Sequence, residues 1–497
     1  MTTASAILSA ALLISFLPAT LLLFAYGFNL YYLMGVALFN RRRQAEPPLT
    51  EYPHITVQLP LYNERYVSRR IIDAAAQFDY PSNRLTIQVL DDSTDETRQI
   101  VAECVAYWRA RGVDVQHIHR TDRHGYKAGA LAYGLALTDS EYIAIFDADF
   151  VPPPHFLKAL LPSLLADPKA AFVQARWEHL NNADSWLTRV QAISVDSHFS
   201  IEQDGRFHSG FPFNFNGTAG IWRRAAIEDA QGWQARTLTE DLDLSYRAWL
   251  NGWHGIYRNQ VSAPAELPPT MTAYKRQQAR WAQGSLECAR LLIPKVWRSA
   301  APLGSKLQAT VHLLSYMVSP TMAILVVAYV LASLLLPREV WLNSPIMQYA
   351  NAIGPFTFAP TLYLFLSQVL LKRGWRAFPN VLLLQVVSSG LAMTILRAAI
   401  KAIIGQRGEF LRTPKWGGSA LGANQYHVRA DIGALIDFMW GVVCLLTAFL
   451  AAQRGHTFFV VYGMMLCVGS WAVAFWTVFP DLKIAVTKVP ITAPSTK

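Results

Sequence analysis

The 497-residue chain is poor in charge and in cysteine. Asp, Glu, Lys and Arg make up only 16% of it, against about 25% in an ordinary soluble protein. With 52% apolar residues, that deficit excludes disorder and argues against a wholly soluble chain. Its four cysteines, Cys104, Cys288, Cys444 and Cys467, are scattered and form no CxxC pair. This excludes a disulfide framework and a cysteine zinc site, and suits a catalytic part facing the cytosol. No GxGxxG follows the first predicted strand, and no GxxxxGK(S/T) occurs. Dinucleotide oxidoreductase and P-loop ATPase readings are weak accordingly. Acid is scarcer than base, with 34 Asp+Glu against 44 Lys+Arg and a net charge of +10. The excess base collects at residues 41–43, 372–376 and 397–407. It forms no stripe interleaved with stacking aromatics, which disfavours nucleic acid as a partner.

What the sequence has instead is long uncharged runs. Residues 1–40 contain no charged side chain, and Arg41, Arg42 and Arg43 follow at once. A signal peptide carries its charge before a short apolar core, not after a long one. This order predicts a retained membrane anchor whose arginines lie inside. Residues 311–337, 340–371, 377–396 and 455–480 are also free of charge, and 432–453 carries only Asp437. Lys372, Arg373 and Arg376 then fall on the inner side, as the positive-inside rule asks. Residues 378–396 are ambiguous, because their continuation at 397–405 reads as a helix lying in the interface. About five crossings result, or six if that segment also spans.

The expected layout is an anchor at 1–43, a cytosolic domain at 44–285 and an interfacial helix region at 286–310. Transmembrane or interfacial helices follow at 311–403, then a cytosolic loop at 404–430. Two further spans occupy 431–480, and a short cytosolic tail ends the chain at 481–497.

The polar domain alternates strand and helix. Strands are predicted at 54–61, 85–90, 113–118 and 142–146, with helices at 63–78, 94–111 and 126–137. Such alternation implies a mostly parallel, Rossmann-like α/β sheet. Ligands then gather at the carboxyl ends of the strands. Asp91-Asp92 and Asp147-Ala148-Asp149 sit there, each directly after an apolar strand.

The candidate residues fall into a few groups. Asp147 and Asp149 have the spacing to share one divalent cation with a diphosphate; a solvated turn is the plain alternative. Glu64, Asp91 and Asp92 can accept hydrogen bonds from a base and ribose, while Ser93 or Thr94 can cap the next helix. Thr239-Glu240-Asp241 opens an amphipathic stretch. Its acids either favour a helix N-terminus or supply a general base for an acceptor hydroxyl. Gln277 and Arg280 share a helical face, where Arg280 can grip a leaving diphosphate and Trp281 can offer a flat face to a sugar ring. Lys127, between Gly125 and Gly129, can contact phosphate. The small-residue turn Asn214–Gly220, with Gly217 and Thr218, can shape an acceptor pocket.

The order of these signatures is more specific than any one of them. Asn63-Glu64, Asp91-Asp92, DxD at 147–149, Thr239-Glu240-Asp241 and QxxRW at 277–281 follow one another in that sequence. The arrangement resembles the membrane-embedded processive glycosyltransferases of family 2, the cellulose, chitin, hyaluronan and mannan synthases. It is most similar to the cellulose-synthase-like (gluco)mannan synthases and their bacterial relatives. The resemblance implies a GT-A fold, with a helical transmembrane bundle alongside, and an inverting displacement at the anomeric carbon. It implies that Glu64, Asp91 and Asp92 hold the nucleoside, and that Lys127, Gln277 and Arg280 hold the diphosphate. Asp147 and Asp149 would hold the ribose side and the metal, Mg2+ or Mn2+. Asp241 would be the base beside Glu240, with Trp281 at the acceptor end. Phe410-Leu411-Arg412-Thr413-Pro414-Lys415 resembles the cellulose synthase gating loop, in which Phe410, Thr413 and Lys415 match and Arg412 departs from the pattern. The chain ends soon after its last span, so a bacterial type without a PilZ domain is expected.

Three functions fit in different degrees. The first is processive transfer of hexose from UDP-glucose, GDP-mannose or GDP-glucose to a β-linked glucan or (gluco)mannan, exported through the protein's own helices. The second is a glycolipid synthase adding one hexose to diacylglycerol or ceramide. The third, a channel or scaffold with a degenerate domain, is disfavoured because no expected acidic position is missing. The sequence identifies no accessory export protein.

Overall fold

The computed structural model describes residues 3–39, 49, 51–335, 356–406, 408 and 432–479. Among these residues seven strands form one sheet: β1 (Ile55–Leu61), β2 (Leu85–Asp91), β3 (Val115–His119), β4 (Tyr142–Ile145), β5 (Ala170–His179), β6 (Gly220–Arg223) and β7 (His254–Ala265). Their order is β3-β2-β1-β4-β6-β5-β7. Pairings β1–β2, β1–β4, β2–β3 and β5–β7 are parallel, whereas β6 runs antiparallel to both β4 and β5. The sheet is therefore mostly parallel, as the strand–helix alternation predicts.

Both faces of this sheet are covered, which is why its central strands are apolar almost throughout. Ile55, Val57 and Leu59 face a core shared with Ile71, Val101, Leu160 and Leu161. Ile143, Ile145 and Leu90 face a second core with Leu131, Phe172, Trp222 and Leu244. Of the two glutamines buried in the central strands, Gln58 donates its Nε2 to Gln88 Oε1 at 3.1 Å. β1, β2 and β4 all end at one edge. Because β6 is reversed, the turn before Gly220 reaches that same edge.

The helix after β1 is shorter than the sequence suggests, running from Ser68 to Ala76. Asn63 adopts a left-handed φ of 54°. Its backbone N–H donates to the Ser93 hydroxyl at 2.8 Å, and its side-chain oxygen accepts from the Thr94 N–H at 2.9 Å. Ser93 and Thr94 thus tie two strand-end loops together and do not cap the following helix. That helix begins at Thr97, whose N–H is met by Asp95 at 3.0 Å.

Among the described residues, four helices are long and apolar enough to cross a membrane: Phe16–Phe39, Ser315–Leu335, Ile432–Arg454 and Thr457–Val478. The ambiguous segment is a bent pair, Gly374–Gly390 and Ala392–Ile404, which meet at 47° and make a fifth span if counted as one. Ala359–Leu370 has only 12 residues, about 18 Å of helix against a hydrocarbon core of about 30 Å. Large apolar side chains such as Leu21, Phe28, Leu435, Phe449 and Val461 point outward from these helices. An outer surface of that kind is costly in water and suits hydrocarbon.

The long helix Met271–Arg298 joins the two parts and runs without a break through the boundary expected at residue 285. Its Met271 and Tyr274 share a core with Leu187, Val381, Leu384 and Val473. A second tie is the fully buried Asp196, which binds His179 at 3.0 Å and pairs with Arg373 beyond Ala359–Leu370.

Candidate active site

A cavity of about 210 Å³ opens at the carboxyl edge of the sheet. Glu64 and Asp92 line it from the loops after β1 and β2, and Asp147 and Asp149 from the loop after β4. Gly217 enters from the turn before β6, and Lys127 from the start of the helix Tyr126–Ala136. Glu240 and Asp241 come from the first turn of the helix Glu240–Leu250. Gln277, Arg280 and Trp281 complete the wall from the helix Met271–Arg298. Five signatures spread over more than two hundred residues thus share one cleft.

Lys127 is the electrostatic hinge of the cleft. Its Nζ donates to the Gly217 carbonyl at 2.9 Å, pairs with Asp147 at 2.5 Å and lies 3.8 Å from Glu240. Burial works against its charge, yet Asp147 and Glu240 outweigh that and hold its pKa above the ordinary lysine value. Asp241 shows the opposite balance. Burial first, and the neighbouring Glu240 charge second, push its carboxyl up to about 7. Lys127, the Leu242 N–H at 2.9 Å and Arg280 offset only part of this. A carboxylate with a pKa near neutrality is matched to taking a proton at physiological pH.

Two expected contacts are absent from the wall. Asp91 does not line the cavity. It is completely buried, with one oxygen on His117 Nε2 at 2.8 Å and the other accepting from the Ser93 N–H at 2.9 Å. Burial works to raise its pKa, but His117 and Ser93 hold it below the usual carboxylate range. Asp91 still belongs to strand β2 and points under the loop, where Asp92 turns out. Thr218 is likewise fully buried, and its hydroxyl accepts from the Asp147 N–H at 2.9 Å. It positions the DxD loop and does not line this cavity. Phe410, Thr413 and Lys415 lie outside the described residues.

The structure also places residues here that the sequence did not single out. Arg120, just past β3, forks onto both oxygens of Asp92, with Nε at 2.7 Å. It also reaches the Tyr126 carbonyl at 3.1 Å, latching the Lys127 loop to β2. Arg123 stacks 3.4 Å from the Tyr62 ring centre on the cavity rim. The position of Arg120 at a strand's carboxyl end was a usable signal. Nothing local distinguishes Arg123 from its neighbours.

Among the described residues, no three His, Cys, Asp or Glu side chains converge to hold a metal ion. The candidate donor set is instead the Asp147–Asp149 pair, both of which line the cavity. Two carboxylates on one wall fit a magnesium-like ion that takes its remaining oxygens from phosphate and water.

A second cavity of about 350 Å³ abuts the first and leads toward the apolar helices. Thr239, Asp241, Trp177 and Trp281 line both. Asn216 also lines both, and beyond these the second cavity presents His198 and Glu202, and Tyr26, Tyr316 and Tyr363 from the helical part. His198 bridges Glu202 at 3.1 Å and Asn216 at 3.0 Å. It starts a π-helical turn, His198–Gln203, of the wide kind often found at functional sites. Asp241 therefore stands at the junction of two chambers.

Residues 53–284 match the family model described as glycosyltransferase like family 2. The chain is 39% identical over 359 residues to probable glucomannan 4-beta-mannosyltransferase 7 of Oryza sativa subsp. japonica, covering 71% of this chain and 60% of that protein. It is 44% identical over 254 residues to glucomannan 4-beta-mannosyltransferase 2 of Arabidopsis thaliana, covering 50% of this chain and 48% of that one. It thus spans about half to three-fifths of the length of these curated relatives. Both are plant proteins, so the bacterial type expected from the sequence has no support from them. Among solved structures, mannosyltransferase PcManGT from Pyrobaculum calidifontis, in complex with GDP-Man and Mn2+, superposes with a TM-score of 0.52 at 20% identity. That superposition covers 80% of this chain and 99% of the other, and it concerns the fold. The α/β domain therefore has the GT-A fold, and the chain is similar over residues 53–284 to the glycosyltransferase like family 2 model, and to glucomannan 4-beta-mannosyltransferases.

Proposed function

We propose that the chain is a membrane-bound, inverting β-hexosyltransferase that lengthens a β-linked mannan or glucomannan from a nucleotide sugar. The observation that carries this reading is the placement of Asp241 where the two cavities meet. The first cavity has the charges for a nucleoside diphosphate. Glu64 and Asp92, with the Tyr62–Arg123 stack, face the nucleoside. Lys127, Gln277 and Arg280 face the diphosphate. Asp147 and Asp149 would hold a divalent cation, which neutralises phosphate charge when bound. GDP-mannose is the favoured donor, because the relatives are named for mannosyl transfer and the structural neighbour holds GDP-Man.

In the reaction the acceptor hydroxyl oxygen attacks the anomeric carbon from the face opposite the diphosphate. Its proton passes to the Asp241 carboxylate as the new glycosidic bond forms. The bond to the diphosphate oxygen breaks, and that electron pair leaves beside Arg280 and Lys127. Glu240 keeps Asp241 basic by repulsion. Asp91 and Thr218 serve as positioning residues.

The second cavity favours a glycan acceptor over a lipid. Trp177 and Trp281 supply flat faces, and His198, Glu202 and Asn216 supply hydrogen-bonding groups. A diacyl chain has no use for a buried carboxylate. In this reading the catalytic domain is cytosolic, the spans cross the membrane several times, and the product leaves between them. Phe410, Thr413 and Lys415 join the account by sequence likeness alone.

Two measurements test this reading. Purified protein melted with a panel of nucleoside diphosphates and Mg2+ or Mn2+ should be stabilised by one base above the others. At a hundred times Kd the gain is about 2.7 kcal/mol. No shift with any nucleotide, with or without metal, would remove the donor site. The initial rate at saturating donor should rise with pH and level off above about 7, since Asp241 loses its basic form as pH falls through that value. A rate that is flat between about pH 5 and about pH 9 contradicts a role for this base.

A further inference from the structure

Acidic residues are scarce in the apolar helices. In Ile432–Arg454, the sole carboxylate is Asp437. It is 1% exposed and has an ionic partner far away in sequence. Lys275 of the helix Met271–Arg298, itself 6% exposed, donates to Asp437 Oδ2 at 2.5 Å. The same ammonium reaches the Thr477 hydroxyl at 3.5 Å, in the helix Thr457–Val478. One charge thus joins three helices beside the apolar core of Tyr274, Val381 and Val473.

Stability does not explain such a pair. Stripping water from two ions costs about as much as their attraction returns, and well-packed apolar replacements are often as stable or more so. Ionisable groups within membrane helices usually have a functional reason. Here the reason is angular. At 3.6 residues per turn, Gln277 lies about 200° around the helix from Lys275, and Arg280 about 140°. Gln277 and Arg280 face the cavity while Lys275 faces the bundle. Apolar packing lets a helix slip or rotate among similar contacts. A buried ion pair between fixed atoms does not.

We infer that Lys275 and Asp437 are positioning residues: their pair sets the rotation and height of the helix that presents Gln277 and Arg280 to the donor diphosphate. Their action runs through those two residues, and the inference rests on the donor-binding reading above.

The test uses the full chain in lipid nanodiscs, with Lys275→Met/Asp437→Leu and the exchanged pair Lys275→Asp/Asp437→Lys compared with wild type. Melting temperature, nucleoside-diphosphate-induced stabilisation, donor KM and kcat are read for each. The apolar pair should melt no lower than wild type, yet its donor KM should rise about tenfold or more, and nucleotide should stabilise it less. The exchanged pair should return KM to within about threefold of wild type, a recovery that packing alone does not give. An apolar pair with wild-type KM and kcat overturns the inference, as does one that fails to fold or an exchanged pair no better than the apolar one. If the wild type itself binds no nucleoside diphosphate, the donor-binding reading falls and takes this inference with it.

Discussion

Asp241→Asn should cut turnover by about 10²–10⁴-fold, the range a positioned base contributes. The amide keeps the volume and the Leu242 N–H contact but cannot take a proton. Nucleoside diphosphate binding should survive, because its contacts come from the charged Lys127 and Arg280 and the Gln277 amide. The variant should melt no lower than wild type above about pH 7. Asp241 has a raised folded-state pKa, so its ionised form costs folding free energy at high pH and that cost fades as pH falls through the raised value. Asn carries no charge and escapes it. Turnover kinetics paired with nucleotide-induced melting shifts check both halves. Near-normal turnover would move the base elsewhere; loss of nucleotide binding would make Asp241 part of the donor site.

Gly217→Ala should be nearly as damaging, though it adds one methyl and removes no functional group. Gly217 has a φ of +79°, in the left-handed region. Its added Cβ would lie 2.9 Å from Asp241 Oδ2 and 3.3 Å from Lys127 Nζ. The base, the diphosphate lysine, or the turn must yield. The backbone strain is about 1 kcal/mol, a modest loss of melting temperature. A shift of the base by about 1 Å costs about 10²-fold in rate. A matched drop in kcat with little change in melting temperature is the expected signature. Rate and stability falling together in proportion would indicate simple misfolding, and unchanged kcat would show that the turn has slack.

Much of this site was legible in the sequence because its chemistry sits where strands end. Apolar runs closing on Asp91-Asp92 and Asp147-x-Asp149 announce a parallel sheet and its ligand edge together. The helix Met271–Arg298 announced itself through Gln277, Arg280 and Trp281 on compatible faces. What stayed hidden depended on direction and distance. Strand register decides that Asp91 points into His117 while its neighbour faces the cleft, and a DD pair does not reveal which is which. β6 has four residues and runs against its neighbours, too short for a periodic signal. Its reversal is what delivers Gly217 beside Asp241. Thr218 looked like a pocket residue and proves to be a backbone anchor. Asp437 stood out as a lone acid, but its partner lies 162 positions away. Local patterning holds no trace of such a pairing.

The most direct test of the account is the product itself. Purified full-length protein in nanodiscs should be given radiolabelled GDP-mannose, and UDP-glucose in parallel, with a divalent cation. The account predicts a water-soluble or insoluble polymer, absent with Asp241→Asn, that a β-mannanase or β-glucanase cuts to short oligosaccharides. A label found only as a single hexose on organic-extractable lipid, or no transfer from any nucleotide sugar, would contradict it.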